Sequence, residues 1–251
     1  MKWVKLTLFS ITFIISTQLF AQPFDTARIK QADGWEMIQV VGNKNILAEG
    51  LMRNGVKEGT WNSYWETGFP QEIITYRNGK KNGLFLHTGE DGFIERMVTY
   101  EDDLQSGPTR VYNKGAYILE EIYYRKGVLN GSYNKWYKNG HKQEQCVYLE
   151  GVKNGRATWY YENGNKAAEY IYVKGKLNGK VTMYNELGVP SEKGEYANDE
   201  QVGLWQEFYD NAKLKAEGNY VAGEKDGVWK QYKEDGGSLP SLKYKNGTLL
   251  K

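Results

Sequence analysis

A 24-residue repeat governs what this chain can fold into. Tyr76, Tyr100, Tyr124, Tyr148, Tyr172, Tyr196, Tyr220 and Tyr244 are spaced by 24 without one insertion. So are Gly59, Gly83, Gly107, Gly131, Gly155, Gly179, Gly203 and Gly227. A period kept this strictly means that each unit buries its apolar groups against the units before and after it, in a one-dimensional stack.

Three further columns give the unit its shape. The first runs Gly55, Gly79, Asp103, Gly127, Gly151, Gly175, Asp199, Gly223 and Gly247, and holds only the residue types expected where the backbone takes a positive φ. The second runs Gly68, Gly92, Ala116, Gly140, Gly164, Gly188, Ala212 and Gly236, often after Asn or Asp, which is a hairpin-turn signal. The third is an aromatic row with one gap: Tyr64, Thr88, Tyr112, Trp136, Tyr160, Tyr184, Phe208 and Tyr232. Helix caps and a 3.6-residue apolar period are missing. Each period therefore predicts two strands and two turns: about 60–65, a turn near Thr67-Gly68, 72–77, and a turn near 78–82. The predicted fold is all-β, an elongated antiparallel meander of about eight hairpin repeats forming an open sheet or solenoid.

Register follows from pairs eleven residues apart. Gly50 with Trp61, Gly194 with Trp205 and Gly218 with Trp229 set the largest side chain against the residue with none. Ile74 with Phe85, Val98 with Thr109, Ile122 with Tyr133, Cys146 with Ala157 and Tyr170 with Val181 complete the series. The trade in volume marks them as cross-strand neighbours. Extending that register puts Tyr76 opposite Gly83, and so on down to Tyr220 opposite Gly227, as aromatics covering strand glycines. Trp61 and Tyr64 differ in parity, so either a bulge intervenes or both faces of the sheet carry aromatics.

The array is expected to occupy residues 53–244 as eight repeats, after a cap and degenerate first repeat at 22–52 and before a C-terminal end at 245–251. Ala48-Glu49-Gly50 recurs as Ala216-Glu217-Gly218, seven periods on. Pro240 suits an edge strand that must not recruit another chain. Residues 1–21 read as a signal peptide, with Lys2 and Lys5 ahead of an apolar run from Leu6 to Phe20 and a cleavage site after Ala21. The run is broken by polar residues and is shorter than the roughly 20 residues a membrane anchor needs. With no cysteine near the site, a lipid-modified N-terminus is excluded, and the mature protein is expected in the periplasm or outside the cell.

Cleavage removes two of 33 basic residues and leaves 31 against 31 acidic ones. A neutral chain with scattered charge offers no basic stripe for nucleic acid and no polybasic patch for a membrane. Cys146 is the only cysteine, so no intramolecular disulfide forms, and two histidines far apart do not make a metal site by spacing. Neither a nucleophile elbow nor a phosphate-cradling loop is present, and the regular glycines are explained by turns. Cofactors and catalysis are not expected.

The pattern Gly-x-Trp-x-x-Tyr, Asn-Gly, Glu-x-x-x-Tyr and Gly-x-x-x-Gly, as in Gly227-Val228-Trp229-Lys230-Gln231-Tyr232, resembles the MORN repeat variant, a family often labelled as YwqK-type antitoxins. The resemblance covers about residues 34–250. It implies a sheet of successive hairpins serving as an interaction scaffold, with no catalytic residues to carry over.

The leading expectation is thus an exported, non-enzymatic scaffold, a monomer whose partner is an unknown protein or envelope component. The alternative is a glycan or cell-wall ligand held by exposed aromatics. Scaffold columns are fixed, so specificity should lie in the residues that vary between periods. The densest aromatics of that kind are Tyr137, Trp159, Tyr161 and Tyr170. Trp159 stands where other periods have Ser63, His87, Val111, Lys135, Met183, Glu207 and Gln231, so the column does not call for a large ring.

Overall fold

A computed structural model describes residues 24–250. Among them lie 22 strands, all antiparallel, in one open sheet laid down as a meander of hairpins. Residues 1–21, expected to be a signal peptide, lie outside the described residues. The only helical element among those described is a single 3-10 turn, Ala32–Gly34, between the edge strand Asp25–Lys30 and the strand Trp35–Gly42. No helix among the described residues is long and apolar enough to cross a membrane.

One period shows how sequence sets the unit. A strand at Val56–Tyr64 runs into a loop, returns as Pro70–Arg77 and turns at once into Lys80–Thr88. In the tight turn both central residues, Asn78 and Gly79, have positive φ (50° and 78°), the geometry whose twist matches that of the flanking strands. Every member of the glycine and aspartate column takes φ between 69° and 85° there. In the other loop the Gly68 amide donates to the Trp65 carbonyl and the Trp65 amide to the Phe69 carbonyl, each at 2.9 Å. Gly68 itself is left-handed (φ 85°), as a three-residue hairpin loop requires. The strand after the tight turn starts earlier than its composition suggests. In two periods it is split, into Val152–Lys153 with Gly155–Tyr160 and Lys176–Leu177 with Gly179–Tyr184.

The Trp–Gly register holds. Gly50 pairs with Trp61, and a Cβ built on Gly50, Gly194 or Gly218 would fall 2.5 Å from Trp61 Cε2, 2.6 Å from Trp205 Nε1 or 2.5 Å from Trp229 Cδ1. The Tyr–Gly register does not hold. Tyr76 lies opposite Gly59 on the preceding strand and Lys81 on the following one, and each invariant glycine faces the tyrosine seventeen residues after it, through Gly227 opposite Tyr244. The cause is a bulge: from Ile74 opposite Phe85 the ladder resumes at Tyr76 opposite Lys81, so two additional residues are accommodated around Gly83 (φ 113°). The invariant glycine is there for its backbone conformation, not as a floor for an aromatic ring.

The bulge also sets the tryptophans' polar contacts. Where the ladder slips after Gly50, the Trp61 indole N–H donates to the Leu51 carbonyl at 2.8 Å. Trp205 and Trp229 reach Glu195 and Asn219 in the same way at 3.3 and 3.2 Å. A buried indole N–H thus finds a partner at the point of slippage.

Both faces carry aromatics. Glu49 pairs with Asn62, so it lies on the face opposite Gly50 and Trp61, and there the Tyr64 hydroxyl donates to it at 2.7 Å. The Trp face is the core, with Val181, Trp205, Ala216 and Trp229 buried and Tyr170, Tyr196 and Tyr220 packed against them. Lysine stems help to close this face: Lys57 Nζ lies 4.1 Å from the Trp61 ring centroid and Lys225 Nζ 3.6 Å from that of Trp229. Burial lowers the Lys57 pKa. Among the described residues the strand Thr248–Leu250 pairs with Lys243–Lys245, so Pro240 lies on the part of Ser238–Lys245 that this strand leaves uncovered, a place where proline is tolerated.

Candidate binding surface

The four aromatics singled out by their variability fall into two places. Trp159 and Tyr170 come together on the core face, ring centroids 5.2 Å apart and nearly perpendicular. Tyr137 and Tyr161 stand apart from them at the three-residue loops, where the Tyr137 hydroxyl donates to the Tyr160 carbonyl at 2.8 Å and that of Tyr161 to Tyr184 at 2.7 Å. Each clips its own loop to the next hairpin. Trp65 and Tyr209 occupy the same repeat position and do the same, to the carbonyls of Thr88 and Tyr232. Asn113 and Asn185 fill that position in other periods, and each Oδ1 accepts two amides of its own loop, while Asn185 Nδ2 also donates to Asp210 Oδ1 of the next loop at 2.8 Å. Four aromatics in one column were the signal for these clips, and the intervening Gly89, Asn113, Asn185 and Lys233 hid it.

Trp159 takes the place of a ring its own period lacks. Ala157 stands in the column that holds Trp61 and Trp229, and it is buried beside buried Cys146. In two other periods a lysine covers both the tryptophan and a tyrosine of the following strand: Lys57 over Trp61 and Tyr76, Lys225 over Trp229 and Tyr244. Here Lys153 covers Trp159 (4.7 Å) and Tyr172 (5.6 Å). Trp159, two residues along the strand, thus lies under the same lysine position, across from the small Ala168. Tyr170 is packed against the core cluster, and burial pushes its hydroxyl pKa up to about 12. Burial pushes the Cys146 thiol up to about 12 as well, which leaves it a neutral core side chain at physiological pH.

These four aromatics are half-buried, and other apolar side chains are more exposed. Along the tight-turn edge, Leu104, Val128 and Val152 recur one hairpin apart, with Leu149 and Val173 beside them, all exposed. Leu149 pairs with Val152 across its turn, and Val152 lies against Gly175 of the next one. Along the loop edge, Phe69, Phe93 and Tyr117 recur at one repeat position, also exposed. Sequence reasoning missed both rows because it settled on the densest variable aromatics, in the central repeats, whereas one row is aliphatic and the other lies in the first three repeats. Among the described residues no group of three or more His, Cys, Asp or Glu side chains is placed to hold a metal ion.

The model of the MORN repeat variant family matches residues 57–78, 153–174 and 201–222. Each match begins just after one tight turn and ends at the first residue of the next, so it frames one hairpin of the sheet. No curated protein matches the chain.

Proposed function

We propose that this chain, a sheet built from MORN repeat variants, is an exported, non-enzymatic scaffold that holds a protein partner or another component of the cell envelope. The observation that carries the reading is the aliphatic ridge Leu104–Val128–Val152 with Leu149 and Val173, exposed on an open sheet whose fixed columns are already engaged in turns, bulges and packing. Exposed apolar groups that form a contiguous row are what a partner surface buries. Export is supported by the charged start, apolar run and small-residue cleavage site of residues 1–21.

The test has two parts. Deleting residues 2–21 should retain the protein in the cytoplasm, and an unchanged location would end the export reading. Leu149→Glu with Val152→Glu should abolish cross-linking of an envelope protein to the chain while its β-sheet circular dichroism stays as in wild type. If the double variant captures the same partner with the same yield, the ridge is not the contact. The alternative partner is a glycan, and the opposite edge of the sheet carries exposed rings suited to one.

A further inference from the structure

The geometry points to a second contact on the loop edge, a stacking row for a neutral β-1,4-linked polysaccharide, made by Phe69, Phe93 and Tyr117. The inference rests on the reading of the chain as a binding scaffold and names the ligand class of one edge.

The three residues follow the left-handed residue of successive loops: Gly68, Gly92 and Ala116. Their exposures, 49, 47 and 66%, are high for aromatics. Among the described residues none of the three pairs with another aromatic ring or lies under a cation, unlike the rings of the core face. The Phe69 ring lies across the next loop, 2.9 Å from where a Cβ on Gly92 would stand. The fold does not ask for rings here, since His141, Asn165, Val189, Lys213 and Gly237 fill the same position in later repeats. His141, Asn165 and Lys213 reach carbonyls of the next loop at 2.8, 2.8 and 2.9 Å, so the position bridges loops whatever fills it, and three consecutive exposed rings add apolar area that this bridging does not require.

Spacing and charge select the ligand. Consecutive positions are one hairpin apart, two strand spacings or about 10 Å, and the loop residues that precede the second and third rings are polar: Glu90 and Asp91 before Phe93, Asn113 and Lys114 before Tyr117. Rings carried on separate loops at this step, about 10 Å, do not match the i, i+3, i+4 anchors of an amphipathic helix, whose rise is about 1.5 Å per residue. Acidic Glu66, Glu90 and Glu95 lie along the row, and Lys114 is already paired with Asp91 at 2.9 Å, so anionic lipid or an anionic polymer would meet like charge. An extended β-1,4-linked hexopyranose chain is a flat ribbon that presents the same C–H face at every second sugar, a repeat close to the hairpin step. Its equatorial hydroxyls would fall on the polar residues between the rings. A cleft lined by Phe93, Tyr112, Asn113 and Lys114 offers both kinds of contact.

The experiment is a sedimentation assay of the purified chain with insoluble chitin and with insoluble β-1,4-glucan, at low and high salt, beside vesicles of zwitterionic and of anionic lipid. The expected result is retention on at least one glycan that survives high salt. Phe69→Ala with Phe93→Ala and Tyr117→Ala should weaken that retention at least tenfold with the melting temperature unchanged, and Phe69→Tyr with Phe93→Tyr should keep it. No retention of the wild type on either glycan overturns the inference, as does equal retention of the triple alanine variant. Retention on vesicles that needs the three rings overturns it in favour of a bilayer. Cross-linking through the Leu149 and Val152 ridge is read separately, so the scaffold reading can survive the loss of this one.

Discussion

Gly218→Val tests the packing rule on which the repeat is built. Gly218 is absent from the residues with positive φ, so a side chain there meets no backbone penalty and the cost is steric. The new Cβ would stand 2.5 Å from Trp229 Cδ1 and closer still to Cγ and Cδ2, whereas ordinary carbon contacts lie at about 3.5–4.0 Å. The ring has nowhere to retreat: it is 2% exposed, Tyr220 meets it edge-on at 5.3 Å and Lys225 lies 3.6 Å from its centroid. If the surroundings yield, the cost is that of overpacking, about 1–3 kcal/mol. If the ring is expelled, roughly 200 Å² of apolar surface returns to water at about 25 cal/mol per Å², about 5 kcal/mol, an upper bound on the loss. The expected destabilisation therefore lies between about 1 and 5 kcal/mol. The double variant Gly218→Val with Trp229→Val resembles the Val98–Thr109 pair at the same positions and should regain part of the loss. Urea denaturation of wild type, both single variants and the double variant gives the coupling, expected above about 1 kcal/mol. Additive effects of the two substitutions would refute the reasoning.

Other expectations follow from the same contacts. Gly203→Ala should also destabilise, by about 1 kcal/mol, through strain alone, because φ is 66° and no atom lies within 4 Å of the new Cβ; an effect relieved by trimming a neighbouring side chain would contradict this. Trp159→Ser should lower stability by about 2 kcal/mol or more, since the indole replaces the ring missing at Ala157; a melting temperature equal to wild type would place Trp159 outside the packed face. Tyr161→Phe removes one clip to the next hairpin and should cost about 0.5–1.5 kcal/mol, measured by thermal melting, with the Tyr184 carbonyl left to water. In alkali, Tyr170, Tyr172 and Tyr220 are raised from 10.0 to about 12 by burial, so the unfolded chain loses these protons first. Their contribution to stability is complete below pH 10 and lost as pH rises through about 12. Tyrosinate absorbance from these residues should appear together with loss of the β-sheet circular dichroism, and ionisation at pH 10 with the sheet intact would contradict the assignment.

The sequence by itself determined whatever depends on backbone sterics and on neighbours at a fixed offset. The 24-residue period, the turns and the left-handed columns were legible because few residue types tolerate positive φ, and the Trp–Gly pairs because a ring and an absent side chain must share one volume across adjacent strands. Tertiary structure decided the rest. The bulge at the invariant glycine adds two residues to one strand, which sets Lys81 rather than Gly83 opposite Tyr76 and leaves Gly59, on the preceding strand, as the glycine that Tyr76 faces, and no column of identical residues reveals on which side of the ladder that slip falls. Trp159 looked free because its column is variable, yet its ring fills a space vacated two residues earlier, under Lys153 and against Tyr170. Tyr137 and Tyr161 looked like contacts for a ligand, yet their hydroxyls close onto carbonyls 23 residues ahead. A side chain that crosses from one repeat to the next answers to the space and the carbonyls left there by its neighbours, and only the folded stack brings those together.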